Sequence, residues 1–432
     1  MAARIYLDTK PYSRLVVVLL IIAIMGKSIL AAITSSSSDF INIASSAVFA
    51  PYPVSFYGPY TFSVYFMNLF YRLWLLIPVD HQWIYSGGEF LPSPSGFLLI
   101  FIFKLPLLVL DVVTSLLIYQ IVLLIGGSRR IGTFAALIWL LNPYLTIAIE
   151  MDGTIDIVST FLVVLATYLF LRCKHVLSAI CLGLATVARF YPVALIPFYA
   201  LFLLKEGKVR SFGFMIASYC AVLILVLAPF ISSYGVGFLS IIYELPAGGN
   251  KEFLWFFGFR PNVSSTSGTE ISSVATVLVV VTLLALKVWR NDRRLVLDMI
   301  LIVLVTYVGL SHWNRYYTIW VTPFLTIDMA INRNSRYRTG FMALYALFFL
   351  SAFVYNSIYW WFSSLLFLYE FTPEISAMAA CVREIAGTLR AGDLGTTFSQ
   401  SILAGTCILY AAMVVKRNLI RIDGQGSSGC YP

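Results

Sequence analysis

The sequence predicts an all-α fold, a polytopic bundle of about twelve membrane segments. Hydrophobic residues make up 60% of the 432-residue chain and charged residues only 11%. Mean hydropathy is +0.88, and apolar runs of transmembrane length recur from end to end, separated by short basic links. Inside a bilayer every backbone N–H and C=O must be bonded within the protein, and a helix does this along its own length. The formal net charge of +9 is spread as small clusters between apolar runs. That pattern fits anchoring in membrane lipid headgroups and excludes a nucleic-acid-binding face.

The first run, Leu15 to Thr34, is longer than a signal-peptide core, and no small-residue cleavage pattern precedes Ser35 to Ser38. It reads as a retained helix over 14–34. Arg4, Lys10 and Arg14 precede it, which places the N-terminus in the cytoplasm. The apolar stretch Tyr60 to Ile77 would invert every later basic cluster if it crossed. It is therefore laid on the outer leaflet as an interfacial helix, with Phe62, Tyr65, Phe66, Tyr71 and Trp74 at headgroup level.

Further spans follow at 97–126, 131–149, 154–172 and 211–232, with a short pair, 176–189 and 191–204, meeting at Arg189-Phe190-Tyr191-Pro192. The last five are 271–289, 295–311, 318–331, 339–362 and 399–415. Alternation of these spans brings the remaining basic clusters, from Arg129/Arg130 to Lys416/Arg417/Arg421, onto the cytoplasmic side together with both termini. The chain is one membrane domain, 1–432, whose outer segments 35–96, 233–270 and 363–398 carry the function. Six cysteines show no C-x-x-C spacing, so neither a disulfide framework nor a zinc site is expected.

The scarce acids are the candidates for chemistry. Asp39 follows a serine run just beyond the first helix, where it is either a general base or a solvated loop acid. Glu150, Asp152 and Asp156 surround Gly153 in an outer turn. They suit orienting sugar hydroxyls or binding a divalent cation, and Asp156 alternatively caps the following helix. Lys104 and Asp111 lie seven apart inside one apolar span, which requires them to face the bundle interior. Lys104 is placed to meet a phosphate, and Asp111 to pair with a neighbouring helix. Arg189, at the outer turn of the short pair, can reach a phosphate at headgroup depth or snorkel. His312, Arg315 and Tyr316 gather at another outer end, suited to clamping a sugar and an anionic leaving group or to belt anchoring.

These stretches together resemble the GT-C class of polytopic glycosyltransferases. The closest likeness is to the first mannosyltransferase of glycosylphosphatidylinositol-anchor assembly and its archaeal relatives. The likeness rests on Asp39-Phe40, on Phe103-Lys104-Leu105 through Asp111-Val112-Val113-Thr114, and on Trp139-Leu140-Leu141-Asn142-Pro143 followed by Asp152-Gly153-Thr154-Ile155-Asp156. Arg189-Phe190-Tyr191-Pro192-Val193 and Asn314-Arg315-Tyr316-Tyr317-Thr318-Ile319-Trp320 complete it.

The resemblance implies a GT-C bundle and inverting transfer of a hexose, mannose first, from a polyprenyl or dolichyl phosphate to a lipid or lipid-linked glycan acceptor on the outer face. Asp39 would be the base, and Arg189, Lys104, His312 or Arg315 would stabilise the leaving phosphate. Asp152 and Asp156 would position hydroxyls or help hold Mn or Mg. The family's Asp-x-Asp reads Ser37-Ser38-Asp39 here, so a metal role for that loop lacks one ligand.

The alternative is a non-catalytic GT-C-like subunit that binds glycolipid within a membrane complex, beside a small membrane partner. A secondary transporter fits less well, because no internal repeat is evident. The short chain without sorting tails points to an archaeal cell membrane, or to the endoplasmic reticulum membrane if the source is eukaryotic.

Overall fold

The computed structural model describes residues 14–34, 61–78, 85–86, 89–90, 94–189, 191–234, 293–310, 316–332, 338–355 and 393–426. The chain begins with α1 (Arg14–Ile33) and α2 (Thr61–Trp74). A minimal hairpin follows, β1 (Tyr85–Ser86) against β2 (Glu89–Phe90), with Tyr85 opposite Phe90. Next come α3 (Pro94–Leu124), α4 (Arg129–Leu140), α5 (Pro143–Met151), α6 (Asp156–Leu171) and α7 (His175–Ala188). A 3₁₀ turn, Tyr191–Leu195, leads into α8 (Ile196–Lys205), and α9 (Val209–Tyr234) follows. The later elements are α10 (Arg293–Leu310), α11 (Tyr317–Ile331), α12 (Arg338–Tyr355) and α13 (Asp393–Gly426).

Two helical stretches are long and apolar enough to cross a membrane, Ile100–Leu124 and Val209–Ala228. At 1.5 Å per residue each reaches about 30 Å or more, the thickness of a hydrocarbon core. Taken together α4 and α5 make a third candidate, bent by 41° at the break. Among the described residues the remaining apolar helices are shorter, so the expected twelve full spans are not reached, and 271–289 lies outside the described residues. The shortfall has local causes. The expected 131–149 span breaks at Asn142-Pro143, where Asn142 Oδ1 accepts from the N–H groups of Tyr144 (3.0 Å) and Leu145 (3.4 Å) and starts a new helix.

Helix α11 is the centre of the bundle. Every residue from Tyr317 to Ala330 is buried, and α11 touches α3, α4, α6, α10 and α12. A helix apolar all round belongs in such a place. Around it α6 packs on α7, α7 on α9, α3 on α4 and α6, and α13 on α10 and α12. Helix α2 occupies the stretch expected to lie on the outer leaflet. It packs against α3 and α7 with Met67 and Trp74 buried, while Leu69 and Leu73 point outward.

The order of the helices gives the molecule two ends. The α1 C-terminus, the α5 C-terminus, the α6 N-terminus, the α7 C-terminus and the α11 N-terminus meet at one of them, the acidic end, as their side-chain bonds show. The turns joining α6 to α7 and α8 to α9 lie at the other, the basic end.

Candidate functional site

The acidic end is built by a backbone irregularity. After Pro143 the chain winds first as α and then, from Thr146 to Met151, as π-helix. The N–H of Asp152 reaches back five residues to the Ile147 carbonyl at 2.8 Å. Such wide turns shift the side chains that follow them and are frequent at functional sites. This one aims Glu150 inward and exposes the Met151 carbonyl to a side-chain donor. Gly153 then takes φ 72, a left-handed conformation that glycine adopts without strain, and the chain re-enters helix at Asp156.

Two linked ionic groups result. In the first, Lys27 of α1 places its ammonium 2.8 Å from Asp111 of α3 and 3.0 Å from Glu150, with all three side chains buried. The indole of Trp139 donates to the other oxygen of Asp111 at 2.8 Å. Lys104, about two turns before Asp111, donates to the Met151 carbonyl (2.7 Å) and to the Thr34 carbonyl (3.0 Å) and hydroxyl (3.2 Å). It thereby ties the last turn of α1 to the π-helix, at carbonyls that helix ends leave unbonded.

In the second group, Arg189 grips Asp156 with both ends of its fork, Nε to Oδ1 at 2.6 Å and Nη2 to Oδ2 at 2.8 Å. The Thr154 hydroxyl (2.9 Å) and the Trp320 indole (2.9 Å) complete the carboxylate's bonds. Trp320 stacks on Tyr191 at 4.2 Å and on Tyr317 at 4.1 Å. Tyr316 donates to Asp152 at 3.4 Å. The early helices and α11 are thus held together through polar contacts at this end.

Of the residues singled out in the sequence, Lys104, Glu150, Asp152, Asp156, Arg189 and Tyr316 come together here, whereas Asp39, His312 and Arg315 lie outside the described residues. Lys104 bonds to backbone and hydroxyl oxygens at the ends of two helices, and Arg189 bonds to Asp156. Asp111 has the neighbouring-helix partner that its burial demands. Sequence reading passed over that partner, Lys27, although a lysine inside an apolar run is the same signal that drew attention to Asp111. Among the described residues no group of three or more His, Cys, Asp or Glu side chains is placed to hold a metal ion.

A second network was also passed over. At the basic end Arg417 of α13 bridges Asp298 of α10 (2.6 Å) and Asp328 of α11 (2.7 Å). Asn418 bonds the far oxygen of Asp298 at 2.9 Å, and Tyr410 that of Asp328 at 2.9 Å.

The charges at the acidic end set what it can attract. Among the described residues Lys27 and Lys104 face Asp111, Glu150 and Asp152, while Asp156 and Arg189 pair, so carboxyl groups outnumber basic ones there. Oε1 of Glu150 is buried and makes no hydrogen bond among the described residues. The region offers acceptors, which suits the hydroxyl or ammonium donors of a glycan.

Residues 88–244 match the model of the PIG-U family, described as GPI transamidase subunit PIG-U. The matched stretch holds α3 to α9 and with them Lys104, Asp111, Glu150, Asp152, Asp156 and Arg189. This match corrects the expectation of a glycosyltransferase. The likeness is to a subunit of a transamidase, a complex that joins protein to a lipid anchor, and not to a sugar-transferring enzyme. The match lends no support to a polyprenyl-phosphate sugar donor, and is consistent with a membrane partner subunit.

Proposed function

We propose that this chain is a non-catalytic membrane subunit that binds a glycosylphosphatidylinositol-type glycolipid and presents it within a protein-attaching complex. One observation carries the reading. The stretch resembling the transamidase subunit supplies all six of the buried ionic residues named with it above, and these are bonded to one another, to backbone and to buried aromatic rings. A base or a leaving-group stabiliser needs a hydrogen-bonding position open toward substrate. Asp156 accepts three side-chain hydrogen bonds, from Thr154, Trp320 and Nη2 of Arg189, and Nε of Arg189 lies 2.6 Å from Oδ1 as an ion-pair contact. Asp156 and Arg189 are thereby taken up in holding the helices together, and the acceptor left for a headgroup donor is Oε1 of Glu150, which makes no hydrogen bond among the described residues. The acyl chains would lie along the exposed apolar faces of the bundle, such as Leu105 and Val109 on α3.

The test is photo-crosslinking of a glycosylphosphatidylinositol analogue with a photoreactive headgroup, applied to the purified chain and to the assembly recovered with it from its native membrane. Labelled peptides are expected within 88–244, with less labelling in the Asp152→Asn variant and co-recovery of other membrane subunits. Labelling of neither preparation, or labelling confined to the other subunits, would sink the reading.

A further inference from the structure

The basic end carries a feature that the glycolipid reading leaves unused. The α6–α7 turn presents Arg172 and Lys174, and the α8–α9 turn presents Lys205, Lys208 and Arg210. All five are exposed. The two turns are neighbours because Phe170, two residues before Arg172, packs edge-on against Phe202 of α8 (5.5 Å) and His175 of α7 (5.0 Å). Glu206 is the acid in these turns, and it is held by Lys208 at 2.6 Å. The patch therefore has a formal charge of +4 with His175 neutral.

Apolar side chains flank it. Val176 and Leu177 at the start of α7, Leu204 near the end of α8 and Val209 at the start of α9 are all 42–63% exposed. Cations at the mouth of helices whose next residues are bare apolar surface form a two-part surface. One part suits a phosphate-bearing headgroup and the other an acyl chain.

We infer that the paired α6–α7 and α8–α9 turns form a binding surface for anionic phospholipid at the basic end of the bundle. Charge complementarity selects the occupant. A zwitterionic headgroup brings no net charge to a +4 patch, whereas an anionic one is drawn within a Debye length of it. The α3–α4 turn at the same end has only Arg129 and Arg130 and makes an internal control.

The experiment uses the full chain in nanodiscs of mixed phosphatidylcholine and phosphatidylglycerol, with retained lipid counted by native mass spectrometry after release. The wild-type chain is expected to retain phosphatidylglycerol in preference. Arg172→Gln/Lys174→Gln/Lys208→Gln/Arg210→Gln should lower that preference by a few hundredfold. Lys174→Gln/Arg210→Gln leaves the Lys208–Glu206 pair in place and should lower it by about thirtyfold, so the test survives if the quadruple variant does not fold. Arg129→Gln/Arg130→Gln should keep it.

Equal retention of the two lipids by the wild type, or equal loss in the Arg129/Arg130 pair, would overturn the inference. So would displacement of the lipid by excess inorganic phosphate, which would make the patch a site for the free anion. Crosslinking of the glycolipid analogue at the acidic end is expected to be unchanged in every variant, which separates this surface from that site.

Discussion

Lys27 holds two carboxylates that would otherwise face each other without a counter-ion in a low-dielectric interior. Breaking such a group by removing one partner leaves uncompensated buried charge and costs about 3–5 kcal/mol. Lys27→Met is therefore expected to destabilise the chain by that amount in chemical unfolding in detergent, and adding Asp111→Asn and Glu150→Gln should recover most of the loss. An unchanged unfolding midpoint in Lys27→Met would show that the triad carries no such weight. The Asp156–Arg189 pair makes a parallel case. Either single apolar replacement should cost about 3–5 kcal/mol, whereas Asp156→Leu/Arg189→Met together should come close to wild type, because an apolar pair avoids the desolvation that the ion pair must offset. Strict additivity of the two single losses would refute the coupling. At this scale the sequence was partly legible. Composition marks Asp111 and Lys104 as buried ions, yet counting charges only at the ends of apolar runs hides Lys27, Asp298 and Asp328, which lie inside them. Which acid meets which base depends on helix rotation, and α5 turns from α to π between Leu145 and Thr146.

At the scale of elements, most expected helices coincide with observed ones to within a few residues. The expected 154–172 is α6 at Asp156–Leu171, and 318–331 is α11 at Tyr317–Ile331. Two differ by more: 399–415 is α13 at Asp393–Gly426, which takes in the end of the expected outer segment 363–398, and 131–149 breaks in two. Asn142-Pro143 was legible as a motif but not as a break, because Pro at the first turn of a helix and Pro inside a helix look alike without the cap geometry. Close helix approach is equally hidden in sequence. Gly309 of α10 lies against α13 so tightly that an added Cβ would sit 2.5 Å from Cβ of Cys407. Gly309→Ala must push the helices apart and is expected to cost about 1–3 kcal/mol, as overpacking does. Cys407→Gly in the same chain should restore part of the loss by clearing the opposing Cβ. A fully stable Gly309→Ala variant would mean that the α10–α13 contact yields freely.

Across the described residues, an apolar bundle carries a buried polar network at each end. The acidic end ties α1, α3, α5, α6, α7 and α11, and the basic end ties α10, α11 and α13, so α11 belongs to both. This arrangement follows from the medium. Apolar packing in lipid has little hydrophobic drive, so close packing and interhelical hydrogen bonds together select which helices meet. It also explains how α13, the last described helix, is fixed. Arg417 reaches two acids on two different helices and lies 5.2 Å over the Phe341 ring of α12. Cys407, the residue that meets Gly309, lies on the same helix before that anchor and is fully buried. If Arg417 is the anchor, Arg417→Leu should free Asp298 and Asp328 to draw in water and loosen the α13 seam. Maleimide labelling of Cys407 should then accelerate severalfold over wild type, while labelling of the exposed Cys173 in the α6–α7 turn stays constant as an internal standard. Equal acceleration at both cysteines would point to global unfolding, and no acceleration at Cys407 would show that apolar packing alone holds α13 in place.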